Sequence, residues 1–77
     1  MELLITDFFD ELKRITYKYE RDHNFELVFC PSYDMSTKVY TVEIKKTVSF
    51  YAYKTVKVIS CTSQADILEL VKMEVEG

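Results

Sequence analysis

The sequence has 77 residues, 48% hydrophobic and 30% charged, with a formal net charge of −3. That excludes a disordered tail and bounds the fold at one small domain over 1–77, one that hides roughly 60% of its unfolded surface. No apolar run approaches the roughly 18 residues of a membrane span, and Met1–Asp7 has no secretory pattern, so a cytoplasmic protein with no membrane contact is expected.

The first element is a helix over 3–21. At ~100° per residue, Leu4, Ile5, Phe8, Phe9, Leu12, Ile15, Thr16 and Tyr19 share one face. Asp7, Asp10, Glu11, Lys13, Arg14, Lys18 and Arg21 lie opposite, acids early and bases late, as the helix dipole favours. A helix of this length is marginal alone, so its aromatic face must pack on something. The only glycine is Gly77, so Asp22, Asn24 and Asp34 are the expected turn residues.

Phe25–Cys30 alternates as a first strand with Phe25, Leu27 and Phe29 inward. Pro31 has no donor for a ladder and is expected to end it, opening a loop to Ser36. Lys38–Lys46 is a second strand with Tyr40, Val42 and Ile44 inward and Val39, Thr41, Glu43 and Lys45 outward. Val48–Ser60 is a third, with Phe50, Ala52, Val56 and Val58 on the inner face. Lys54 breaks that pattern, which predicts a bulge or bend nearby. Ser63, with Asp66 three residues on, caps a last helix from Gln64 to about Met73 that faces inward with Ile67, Leu70 and Val71. Glu74 and Glu76 are badly placed for a C-terminal dipole and predict fraying there.

The expected fold class is therefore α+β in α-β-β-β-α order, a three-stranded antiparallel sheet with both helices on one face. The order is shared with double-stranded-RNA-binding domains, a resemblance of topology alone. Those domains begin their second helix with basic residues, and Ser63-Gln64-Ala65-Asp66 offers none.

The residue chemistry points away from catalysis, cofactors and metals. No glycine-rich phosphate loop occurs, and the single His23 lacks a second histidine for a metal pair. Cys30 and His23 sit near opposite ends of one short strand, roughly 20 Å apart at ~3.3 Å per residue, too far for direct activation. Asp7, Asp10 and Glu11 lie on a wet face among bases. Cys30 and Cys61 fit neither a disulfide framework nor a zinc site and are expected to be free thiols.

Charge is uneven: net −2 over 1–24, +2 over 25–60 and −3 over 61–77. Aromatic residues also fall outside the expected core. Tyr17 lies on the polar side of the first helix, near Lys13, Arg14 and Arg21. Tyr51 and Tyr53 point outward from the third strand, with Lys57 following and Lys45 beside them. With Val39 and Thr41, these residues form the expected contact surface. The function expected first is a non-enzymatic protein-binding module acting through its outer sheet face. Its partner would be another protein or a second copy of the chain, as in small regulators or inhibitors that phages and mobile elements encode. The second expectation is a nucleic-acid-binding domain using Tyr51, Tyr53, Lys45 and Lys57 of that face.

Overall fold

The computed structural model describes residues 3–50 and 52–76. Helix α1 spans Ile5–Asp22, strand β1 Leu27–Asp34, β2 Val39–Ser49, β3 Ala52–Cys61 and helix α2 Gln64–Glu76. The strands form one antiparallel sheet in the order β1-β2-β3. Phe8 and Leu12 of α1 and Ile67 and Val71 of α2 meet Phe29, Tyr40, Val42, Ile44 and Ile59 in one core, so both helices cover the same face. Among the described residues, no helix is long and apolar enough to cross a membrane.

The buried stripe of α1 is Phe8, Leu12, Thr16 and Glu20, spaced by four. Leu4 and Ile5, expected on the packing face, are exposed; Leu4 precedes α1, which begins only at Ile5. Glu20, a charged residue in that stripe, is buried. It accepts a hydrogen bond from the Thr16 hydroxyl at 3.0 Å and lies 3.9 Å from the Lys13 ammonium. A buried carboxylate needs such partners, and the same helix supplies both.

Helix α1 ends in a Schellman turn. The Phe25 N–H donates to Glu20 O (2.8 Å) and the Asn24 N–H to Arg21 O (3.0 Å). Asn24 and Phe25 both take positive φ, 55° and 57°. Asparagine tolerates this region; for phenylalanine it is rare, since Cβ crowds the carbonyl. The reversal consumes Phe25, expected as the first inward strand residue. Its ring is instead exposed, 6.3 Å from that of Tyr17.

Pro31 does not end β1, which runs on to Asp34 with Pro31 opposite Val42. An edge strand tolerates proline where its nitrogen faces away from the neighbouring strand. The loop to β2 is consequently shorter than expected. Asp34 closes it by accepting from the Ser36 N–H (2.9 Å), the Ser36 hydroxyl (2.7 Å) and the Thr37 N–H (3.4 Å). The Ser36 hydroxyl bond, then the two backbone donors, hold the Asp34 carboxyl below its ordinary pKa.

The facing of β3 differs from expectation. Tyr40, Val42 and Ile44 point inward and pair with Cys61, Ile59 and Lys57, so the odd residues of this half are the inner ones. Val58 pairs with Glu43 on the outer face and is 53% exposed, while Ile59 is buried. The register then jumps: Ile44 faces Lys57, Lys45 faces Thr55, and Val56 is the extra residue. This irregularity lies two residues from Lys54, where the broken pattern placed one. Beyond it, Tyr53 shares the outer face with Thr47.

Helix α2 continues to Glu76, three residues past the expected end, and Glu74 is tied to Lys57 of β3 by an ion pair. Leu70, expected to face the core, is exposed beside Met73. Gln64 is buried where α2 meets α1. Its amide accepts from the Leu3 N–H (2.8 Å) and donates to Leu3 O (2.8 Å) and the Tyr40 hydroxyl (3.0 Å).

Candidate protein-contact surface on strand β3

The expected contact residues do not all share a surface. Val39, Thr41, Lys45 and Tyr53 lie on the sheet face opposite the helices. The middle of that face is polar: the Thr41 and Ser60 hydroxyls are 3.3 Å apart, and Lys45 pairs with Glu43 at 3.6 Å. Lys57 is on the other face, against α2. Tyr17 is remote from the group, packed on Phe25 beside the α1–β1 turn. Tyr51 lies outside the described residues.

Exposed apolar side chains gather instead along β3 and its turn. Strand β1 reaches only to Leu27, opposite Lys46, and beyond it Thr47 is tied back by its N–H to Glu26 O (2.8 Å) and by its hydroxyl to Phe25 O (3.5 Å). From Thr47 onward the β2–β3 hairpin projects as a two-stranded arm, with no buried side chain among its described residues. Val48, Phe50, Tyr53 and Val56 are exposed on it, Phe50 at 93%. Where β3 re-enters the body, Val58 continues the patch towards Leu70 and Met73 of α2. These residues, with the Lys57–Glu74 pair, line an open groove of about 360 Å³.

The electrostatics of this region divide sharply. Residues 44–58 hold four lysines and no acid. Lys46 and Lys54 stand directly opposite each other, and neither has a carboxylate partner among the described residues. Like charges in that position destabilise a strand pair. Helix α2 carries Asp66 and Glu69 beside Cys61 and Leu70, in a second shallow depression at its start. Neither acid has an ion-pair partner among the described residues.

The thiols and the histidine stay apart. Cys30 lies on the outer face of β1 and Cys61 on the inner face of β3, two strand spacings away, so they cannot bridge within one chain. The His23 ring stacks on Tyr19 at 4.2 Å, with Nδ1 2.8 Å from Tyr19 O. Among the described residues, no group of three metal-ligating side chains comes together.

The apolar character of β3 was visible in the sequence, but its alternation reads there as a core face. What the reading lacked was the register with β2, which turns Val58 outward. The arm had one signal, a lysine-only charge set across a turn. No family model, curated protein or solved structure matches this chain.

Proposed function

We propose that this chain is a non-enzymatic protein-binding module, a small regulator or inhibitor that makes contact through β3 and the hairpin arm. The observation that carries the reading is a run of exposed apolar side chains, Tyr53, Val56 and Val58 along β3, with Val58 sharing an open groove with Leu70 and Met73 of α2. Contiguous apolar surface of this kind tends to mark a contact, and an aromatic side chain within it makes a good anchor. Tyr53, Val56 and Val58 lie on an edge strand, whose backbone groups on one side have no neighbour in the sheet.

A second reading, nucleic-acid binding, draws on Lys45, Lys46 and Lys54 beside Tyr53. Three lysines on a chain of net charge −3 make it the weaker one.

The paired change Tyr53→Glu with Val56→Glu tests the choice. Circular dichroism is expected to be unchanged, because neither side chain is buried. Protein association, measured as self-association and as nuclease-insensitive capture from lysate, is expected to be lost. Association that survives the change sinks the reading. Single-strand affinity that falls steeply with salt and vanishes with Lys46→Glu and Lys54→Glu would favour the second.

A further inference from the structure

We infer that the partner of this surface is a second copy of the chain, joined edge to edge through β3 in an antiparallel two-fold pair that makes one six-stranded sheet. The inference rests on the protein-binding reading above and names its occupant.

Charge placement carries the argument. A dyad perpendicular to the sheet keeps both helix layers on the same side and sets each β3 against itself in reverse. With the dyad at Val58 and Val56 the extra residue, Lys54 of one chain lies three ladder positions from the axis, opposite Cys61 of the partner subunit. Lys46 is on the helix-bearing face of the arm by alternation from Ile44, and the extra residue Val56 turns Lys54, its neighbour, to the same face. Each therefore meets the start of the neighbouring α2, where Asp66 and Glu69 of the partner subunit stand. A basic pair and an acidic pair, each without counter-ions among the described residues and separated within one chain, are brought together twice by one operation.

The apolar strip fits the same geometry. Val58 lies on the axis and meets its own copy, and Leu70 and Met73 flank the seam. The edge supplies backbone donors and acceptors, so the pairing needs no rearrangement of the sheet. The opposite edge, β1, carries Pro31 midway and is a poorer template. The assembly thus closes as a dimer rather than continuing as a filament.

The test is sedimentation velocity on the full chain over a concentration series at low and moderate salt. Twice the protomer mass is expected, with weaker association as salt rises. Val58→Lys is expected to give the protomer mass with unchanged circular dichroism. Lys54→Glu is expected to weaken the dimer about tenfold, and adding Glu69→Lys to restore it, since that pair then has reversed but opposite charges. The charge swap alters exposed residues only, so it remains decisive if Val58→Lys misfolds. A protomer at every concentration overturns the inference, as does a dimer insensitive to both Val58→Lys and the swap. If self-association is absent but capture of another protein is lost with the Tyr53→Glu and Val56→Glu pair, the second copy is the wrong occupant and the binding surface stands. If that pair changes neither, the surface assignment itself fails.

Discussion

Strands β1 and β3 border the same central strand, and both are sheet edges, but they are finished differently. The β1 edge has a proline at its midpoint, a helix packed over its inner residues and an aspartate-closed loop at its end. The β3 edge has no proline; α2 packs over the end that holds the buried Ile59, but the strand is exposed from Ala52 to Val58 and carries Tyr53 and Val58 outward. Edge strands recruit other strands unless something blocks them. The blocking devices are concentrated on β1, whereas β3 carries only a bulge and two lysines, and Lys57 is already engaged by Glu74. An asymmetry of this kind marks which side of a small sheet is built to stay single.

Substitutions can break or sharpen that contrast. The largest effect is expected from Phe29→Ala on β1, which removes a buried ring packed edge-on to Tyr19 at 5.7 Å and costs about 3–5 kcal/mol. Val58→Ala on β3 is expected to stay within about 0.5 kcal/mol at protomer concentrations. Denaturant melts giving equal losses would erase the distinction between a core-bearing edge and a contact edge. Next comes Asn24→Ala, in the turn that delivers the chain into β1. It forces an alanine into the left-handed region and is expected to cost about 1 kcal/mol, with Asn24→Gly near neutral in the same melts.

A smaller effect on stability, within about 0.5 kcal/mol, is expected from Pro31→Thr. Its signature lies elsewhere: the new N–H completes the β1 edge, and light scattering is expected to show larger assemblies than wild type forms. Unchanged scattering would mean that Pro31 guards nothing. The smallest effect concerns Asp34. Its carboxyl is held below the ordinary 3.8 in the folded state. Its contribution is therefore full above the unfolded pKa and lost as pH falls through the lower folded value. Asp34→Asn is expected to cost a little stability at neutral pH, where that contribution is full, and none below the folded pKa, so that the acid limb of the stability curve flattens slightly.

Much of this fold was legible from local pattern. The α-β-β-β-α order, the inward set Tyr40, Val42 and Ile44, the Ser63 start of α2 and an irregularity in β3 all follow from periodicity and punctuation. The misreadings share a cause. Whether Val58 or Ile59 faces the core is set by pairing with Glu43 and Val42, a non-local fact that alternation within β3 cannot reveal. Pro31 reads as a stop because an edge strand cannot be told from a central one before the strand order is known. The contact surface was hidden for the first of these reasons: its apolar residues resemble core until the register exposes them. Such conflicts between local pattern and tertiary placement are where functional surfaces are expected.

The Gln64 clasp has a consequence for the order in which structure appears. Gln64 joins Leu3, 61 residues away, so its bonds close nearly the longest loop in the chain. The two hairpins of the meander need far shorter closures and collect their contacts first. A bond formed after the rate-limiting step leaves the speed of folding alone and governs only the speed of escape. Gln64→Ala is therefore expected to steepen the loss of native protein in unfolding jumps while refolding proceeds at the wild-type rate. A slowed refolding limb would instead place the junction of α1 and α2 inside the nucleus. The clasp is thus a latch on the lifetime of the native state: it sets how long the two helices stay over the sheet once they have arrived.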